Sequence, residues 1–214
     1  MNECTLSTQG RYSVKYYILF LAMVVVFLTT IDAQAGTTDV VLPSGTVRVT
    51  GYPGGDRVVE LYIEQPVTKR WAGFLSATMT QGFEEVTGGP AYYITPEIFV
   101  GLSYGTARYA AADEDEKSSH AVVSGFAYWE TSTFKGELTL ERYRDDPDPW
   151  YYQGYLERYL TPHWSFGVYG ETDVGWGPRI AWSPHDRARI WLSPILKKTG
   201  ESESALVGGI QIAF

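Results

Sequence analysis

The chain has 214 residues, a formal net charge of −8 at pH 7, and 44% hydrophobic and 15% aromatic residues. The acidic balance argues against nucleic acid as a partner, because a surface that binds nucleic acid carries clustered lysines and arginines. The single cysteine, Cys4, falls in the first 35 residues, which we predict to be removed. Neither a disulfide framework nor a thiol nucleophile is therefore expected in the remaining chain.

The first 35 residues have the pattern of a cleavable secretory signal peptide. Arg11 and Lys15 precede an uninterrupted apolar run over residues 18–28, and Ala33-Gln34-Ala35 supplies small residues at the expected cleavage positions. As a helix this run would cover about 16 Å, too short for the roughly 30 Å hydrocarbon core of a bilayer. We predict a signal peptide at 1–35 and one exported domain at 36–214.

The rest of the chain alternates between apolar and polar residues in short segments, as β-strands do. Proline-containing turns separate strands at one end, since proline fixes φ and lacks a backbone donor; they are Thr95-Pro96, Thr161-Pro162 and Ser183-Pro184. Longer polar loops lie at the other end, and residues after Thr80 are also interpreted as a loop. We predict twelve strands, near residues 46–51, 57–64, 71–80, 86–95, 97–110, 120–130, 134–143, 150–160, 163–171, 176–183, 186–195 and 205–214.

The last segment, 205–214, alternates strictly and ends on an aromatic residue, Phe214. It resembles the C-terminal strand of Gram-negative outer-membrane β-barrels, in which a terminal phenylalanine is read by the assembly machinery. The resemblance implies an all-β fold: a single antiparallel up-and-down transmembrane β-barrel in the cell outer membrane. It also implies outer-membrane lipid, lipopolysaccharide and the barrel assembly machinery as partners.

The strand count is expected to be even, because both ends of such a barrel lie in the periplasm. Twelve strands are favoured. Ten is the alternative, since the first two strands show the least regular alternation.

The alternation also predicts which side chains face the barrel lumen. The candidate lumen-lining residues are Glu60, Glu64, Lys135, Glu137, Glu141, Glu157, Glu171, Arg179, Arg187 and Arg189. Aromatic residues at the strand ends predict two girdles at the membrane interfaces. The candidate girdle residues are Trp71, Trp129, Trp164 and Trp182 at the turn end, with Tyr93 and Tyr159 beside them, and Trp150, Trp176 and Tyr152 at the loop end.

The charged lumen supports two functional hypotheses. The first is a non-enzymatic, porin-like channel that passes or binds small solutes or a polysaccharide, with the excess of carboxylates favouring cations. The second arises because charges of both signs in a narrow lumen pair and fill it. The protein would then be a plugged structural or surface barrel whose loops bind an envelope protein, a host surface or exported polysaccharide machinery.

Catalytic and metal-binding chemistry have weak sequence support. His120 lies beside Ser118 and Ser119 and downstream of an acidic run at 113–116. Serine, histidine and acid close in sequence do not make a triad, because the geometry decides. The acidic run lacks the spacing and the turn glycine of a calcium loop. We expect no enzyme activity, no cofactor and no bound metal.

Overall fold

A computed structural model of the chain describes residues 43–52, 56–110, 117–144, 146–147, 149–196 and 205–214. The predicted signal peptide and the acidic run at 113–116 lie outside these residues. No helix within the described residues is long and apolar enough to cross a membrane. The strands are β1 Ser44–Gly51, β2 Arg57–Pro66, β3 Trp71–Met79, β4 Phe83–Thr95, β5 Ile98–Ala110, β6 Lys117–Glu130, β7 Phe134–Tyr143, β8 Trp150–Tyr159, β9 Trp164–Glu171, β10 Gly175–His185, β11 Ala188–Ile195 and β12 Ala205–Ala213.

The twelve strands form one closed barrel in which each strand is antiparallel to its two sequence neighbours. β1 pairs with β12, from Thr46 opposite Ala213 to Gly51 opposite Gly208, and this pairing completes the ring. The prediction of a twelve-stranded up-and-down barrel is confirmed. The ten-stranded alternative is wrong, because β1 and β2 both pair along their full length.

The two rims of the barrel differ. One rim carries Ser44, Phe214 and five connections of two to four residues, and we call it the short-turn end. The opposite rim, the loop end, carries the remaining six connections. Most of these are longer, but the segment after Thr80 is a hairpin: β4 begins at Phe83, where the sequence predicted a loop. Thr80 follows the last residue of β3. Its N–H donates to the Phe83 carbonyl at 2.8 Å, and this hydrogen bond closes a tight turn.

One proline turn is displaced from its predicted position. Ser183-Pro184 lies inside β10, and the turn to β11 falls at residues 186–187. The pairing register of β10 with β11 shifts between Trp182 and His185. Because proline has no N–H to donate, a ladder irregularity of this kind is the usual way to place it within a strand.

The outward face is apolar along the middle of every strand. The pairing registers point Leu138 and Leu140 of β7 outward, with Ile210 and Ile212 of β12 likewise, and all four are exposed. Charged outward side chains occur only near strand ends among the described residues; they are Arg57, Glu84, Arg108, Arg142 and Arg158. An apolar band bounded by charges is the surface that a lipid bilayer requires of a closed barrel.

The six candidate girdle tryptophans all face outward, at the rims that the sequence assigned to them. Trp71, Trp129, Trp164 and Trp182 lie at the short-turn end, and Trp150 and Trp176 at the loop end. Tyr93 and Tyr159, expected beside them, point into the lumen instead. Each donates a hydrogen bond to a lumenal carboxylate, which explains why a polar aromatic residue is placed inside.

The barrel closes at Gly45 and Phe214. The Gly45 N–H donates to the Phe214 carbonyl at 3.2 Å, and the Phe214 N–H donates back to Gly45 at 3.0 Å. The phenylalanine ring lies against Gly45: a Cβ there would stand 2.7 Å from Phe214 Cζ and 2.4 Å from the Tyr62 carbonyl oxygen. Glycine is therefore required at this point of the seam. The role of Phe214 as an assembly signal stays a prediction.

We expect Gly45→Ala to destabilise the folded barrel by about 1–3 kcal/mol, the usual cost of overpacking a site that cannot relax. The matched control is Gly73→Ala, because Gly73 also faces outward and a Cβ there meets nothing within 4 Å. Urea unfolding of the purified protein in detergent, followed by tryptophan fluorescence, measures both changes. Equal unfolding midpoints for the two variants would contradict the proposed seam.

Candidate functional site

The candidate site is the barrel lumen, which the pairing registers define. Nine of the ten candidate lumen residues lie on inward strand positions: Glu60, Glu64, Lys135, Glu137, Glu141, Glu157, Glu171, Arg179 and Arg189. Arg187 lies in the turn between β10 and β11 and lines a cavity at the short-turn end. The registers place these residues inside, while their role in conduction stays a prediction.

Sequence reasoning missed three further inward charges, namely Arg48, Glu85 and Glu130. Arg48 lies in an alternating segment. Its inward position could have been predicted, because it pairs with an inward residue, Glu60, and the apolar residues Val47 and Val49 on either side of it face outward. Glu85 was assigned to a loop because β4 begins earlier than predicted. Glu130 stands at the last position of β6, where alternation gives little signal.

Among the described residues, one ion pair crosses the middle of the lumen. β1 and β7 are six strands apart in the ring of twelve, so they face each other across the barrel. Arg48 Nη2 of β1 donates to Glu137 Oε2 of β7 at 2.5 Å, and Arg48 Nη1 lies 3.6 Å from Glu60 Oε2. Because the Arg48 side chain extends from β1 to Glu137 on the opposite wall, it narrows the lumen at this level.

A second cluster fills the side of the lumen formed by β8 to β11. Glu157 is 1% exposed and pairs with Arg179, whose Nε lies 2.5 Å from Glu157 Oε1. Arg189 contacts the other carboxylate oxygen, which also accepts a hydrogen bond from Ser165. The Arg179 guanidinium lies 4.0 Å from the centre of the Trp191 ring, a cation–π contact. These contacts fill the lumen around Glu157.

The other lumenal carboxylates are held mainly by tyrosine hydroxyls. The hydroxyls of Tyr62 and Tyr93 donate to Glu64, that of Tyr143 contacts both Glu85 and Glu141, those of Tyr52, Tyr151 and Tyr169 contact Glu171, and those of Tyr128 and Tyr159 donate to Glu130. Glu130 also pairs with Lys135 at 3.0 Å. Glu64, Glu85, Glu141 and Glu171 form no ion pair with any described lysine or arginine.

The remaining space forms two cavities of different charge. The larger, about 740 Å³, extends from Tyr52 and Thr172 at the loop end to Ser44 and Gly45 at the short-turn end. Its described lining includes one arginine, Arg48, and eight acidic residues: Glu60, Glu64, Glu85, Glu137, Glu141, Asp146, Glu171 and Asp173. The smaller cavity, about 640 Å³, opens at the short-turn end and is lined by Glu130, Lys135, Asp186, Arg187 and Arg189. Gln211 and Ala213 line both cavities.

Ser119 and His120 are not arranged for catalysis. His120 faces inward at the loop end, where its Nδ1 lies 2.9 Å from the Arg144 carbonyl oxygen and its ring packs edge-on against Tyr109. Ser119 faces the opposite side of the sheet and contacts Thr106 at 3.1 Å. Nucleophile and base need hydrogen-bond contact, which opposite faces of one strand prevent. The side chain of Ser118 and the acidic run lie outside the described residues.

Comparison with solved structures finds the same barrel fold at low sequence identity. A membrane protein from a study of in-meso crystallization matches with a TM-score of 0.53 and 11% identity, covering 80% of this chain and 83% of that chain. The KdgM porin in complex with disordered oligogalacturonate matches with a TM-score of 0.48 and 10% identity, covering 80% and 99%. The NanC porin matches with a TM-score of 0.43 and 10% identity, covering 79% and 98%.

No protein-family model and no curated protein sequence matches the chain. The likeness is therefore one of fold alone. What the lumen does must be argued from its own residues.

The two kinds of lumenal carboxylate predict different mutational costs. We expect Glu157→Gln to destabilise the barrel by about 3–5 kcal/mol, because it leaves Arg179 and Arg189 buried without a counter-charge. Glu171→Gln is the control, since an amide oxygen still accepts hydrogen bonds from the surrounding tyrosines; we expect a cost under about 1.5 kcal/mol. Urea unfolding in detergent measures both, and similar costs would contradict the division of the interior.

Proposed function

We propose that the protein is a narrow outer-membrane channel that prefers cations and passes small solutes. The observation that carries this proposal is the larger cavity, which reaches both rims. Its described lining contains eight acidic residues and one arginine. A low-dielectric wall lined by charges of one sign concentrates counter-ions inside it. Rings of carboxylates are one means by which pores select cations.

The outward surface supports the location. The apolar band, the tryptophans at both rims and strands of 8 to 14 residues fit a bilayer crossed by tilted strands. The predicted signal peptide would supply export. Lipopolysaccharide and the assembly machinery remain proposed partners on the strength of the terminal Phe214 and the location.

The Arg48–Glu137 ion pair is the proposed constriction. Eight strands leave an interior filled by side chains, whereas sixteen or more leave an open channel. In a barrel of twelve strands, the cluster around Glu157 and one cross-lumen ion pair are enough to make the path narrow. Passage then occurs along the acidic side, past Glu60 and Glu141.

Single-channel recording of the purified mature protein in a planar bilayer tests the proposal. We expect steady openings with cation preference, and a lower cation-to-anion permeability ratio in Glu137→Gln, because the carboxylate that pairs with Arg48 is lost. Glu84→Gln is the matched control: it removes the same charge from the outward face at the loop end. A folded protein that inserts without conducting would overturn the channel and favour a plugged barrel whose loops bind a partner.

The constriction itself is tested by Arg48→Ala. We expect larger single-channel conductance and stronger cation preference, since the variant removes both the cross-lumen side chain and the one arginine of the acidic cavity. Arg142→Ala, which faces outward at the loop end, is the control. Unchanged conductance in Arg48→Ala would place the narrowest point elsewhere.

A further inference from the structure

The acidic cavity has an aromatic wall. It is formed by six of the rings that line the cavity on β2 to β6: Tyr62, Phe74, Tyr93, Phe99, Phe126 and Tyr128. They contact one another as a continuous surface, with ring centres 4.8 Å apart for Phe74 and Phe126 and 5.0 Å apart for Phe99 and Tyr128. The Phe126 ring lies directly over Gly101, where a Cβ would approach its Cε1 to 2.2 Å. Glycine therefore lets this ring lie against the barrel wall.

Phenylalanine rings facing a polar lumen need an explanation. They do not favour passage of hydrated inorganic ions, because such ions keep their hydration shell and an aromatic ring does not replace that shell. Ring faces carry a negative quadrupole that attracts weakly hydrated organic cations. The wall therefore offers contact area to a solute that has a carbon body.

Glu64 lies at the edge of the aromatic wall. Its carboxylate accepts a hydrogen bond from Tyr62 at 2.7 Å and another from Tyr93, both members of the wall. Glu64 is 4% exposed, and it forms no ion pair with any described lysine or arginine. Such a buried carboxylate either takes up a proton or is accompanied by a positive charge. By contrast, Glu60 and Glu137 already share Arg48.

We propose that the aromatic wall and Glu64 form a binding site for an organic cation with a substituted ammonium head. The ammonium lies between the Glu64 carboxylate and the ring faces, and the carbon body packs on Phe74 and Phe126. This inference rests on the proposed function, since it names the class of solute that the cation-preferring path takes. The remaining carboxylates of the cavity draw such a cation in from the loop end.

The probe for this site is choline, compared with its uncharged isostere 3,3-dimethylbutan-1-ol and with maltose. Isothermal titration of the detergent-folded protein measures binding whether or not the barrel conducts. We expect choline to bind at least about tenfold more tightly than the isostere, because cation–π and carboxylate contacts both require the charge. Equal affinities for choline and the isostere, or tighter binding of maltose, would overturn the site; the second result would indicate a sugar site.

Two variants locate the site. Glu64→Gln and Phe126→Leu should each weaken choline binding about tenfold, the former by loss of charge and the latter by loss of a ring face. Glu171→Gln is the matched control, since this tyrosine-held carboxylate lines the same cavity on β9, away from the aromatic wall. Circular dichroism shows whether each variant keeps the barrel. Equal losses in Glu64→Gln and Glu171→Gln would mean diffuse electrostatic attraction and overturn the proposed site.

The two proposals fail in distinguishable ways. Choline binding that depends on Glu64, in a protein that does not conduct, would overturn the channel and support the site. Cation-selective openings without choline binding would support the channel and overturn the site.

Discussion

Closure of the sheet is the constraint on which the rest of the structure depends. Hydrocarbon offers no hydrogen bonds, so an unpaired strand edge cannot face lipid. The pairing of β1 with β12 removes the only two edges that twelve consecutive hairpin-connected strands would leave. The reciprocal hydrogen bonds between Gly45 and Phe214 extend that pairing to the end of the chain. Once the ring closes, alternate residues must point into the lumen.

Two kinds of contact stabilise the buried carboxylates of the lumen: ion pairs with arginine and hydrogen bonds from tyrosine. On β8 to β11 one carboxylate pairs with two arginines, and the Arg179 guanidinium lies over the rings of Tyr155 and Trp191. Beside the larger cavity, Glu64, Glu85, Glu141 and Glu171 are stabilised by tyrosine hydroxyls. A hydroxyl satisfies a lone pair of the carboxylate and brings no positive charge with it. This asymmetry of the lumen is the basis of the proposed path for cations.

Much of the fold could be read from the sequence, because a period of two is a strong signal when one face meets lipid. Leu138 and Leu140 opposite Glu137 and Glu141, for example, assign both faces of β7 without any structure. The first residue of a strand was harder to predict. Nothing in the sequence near Glu85 distinguishes a tight hairpin turn from a longer loop. Contacts across the lumen could not be predicted at all. The Arg48–Glu137 ion pair depends on the stagger and tilt of strands that are distant in the chain, and parity carries no information about either.

The central claim is that the acidic half of the lumen conducts cations. The most direct test is the zero-current potential of the mature protein in a planar bilayer that separates two KCl concentrations. The account predicts a potential displaced toward the potassium equilibrium potential. A displacement toward the chloride equilibrium potential, or no current from barrels shown to be inserted, would contradict it.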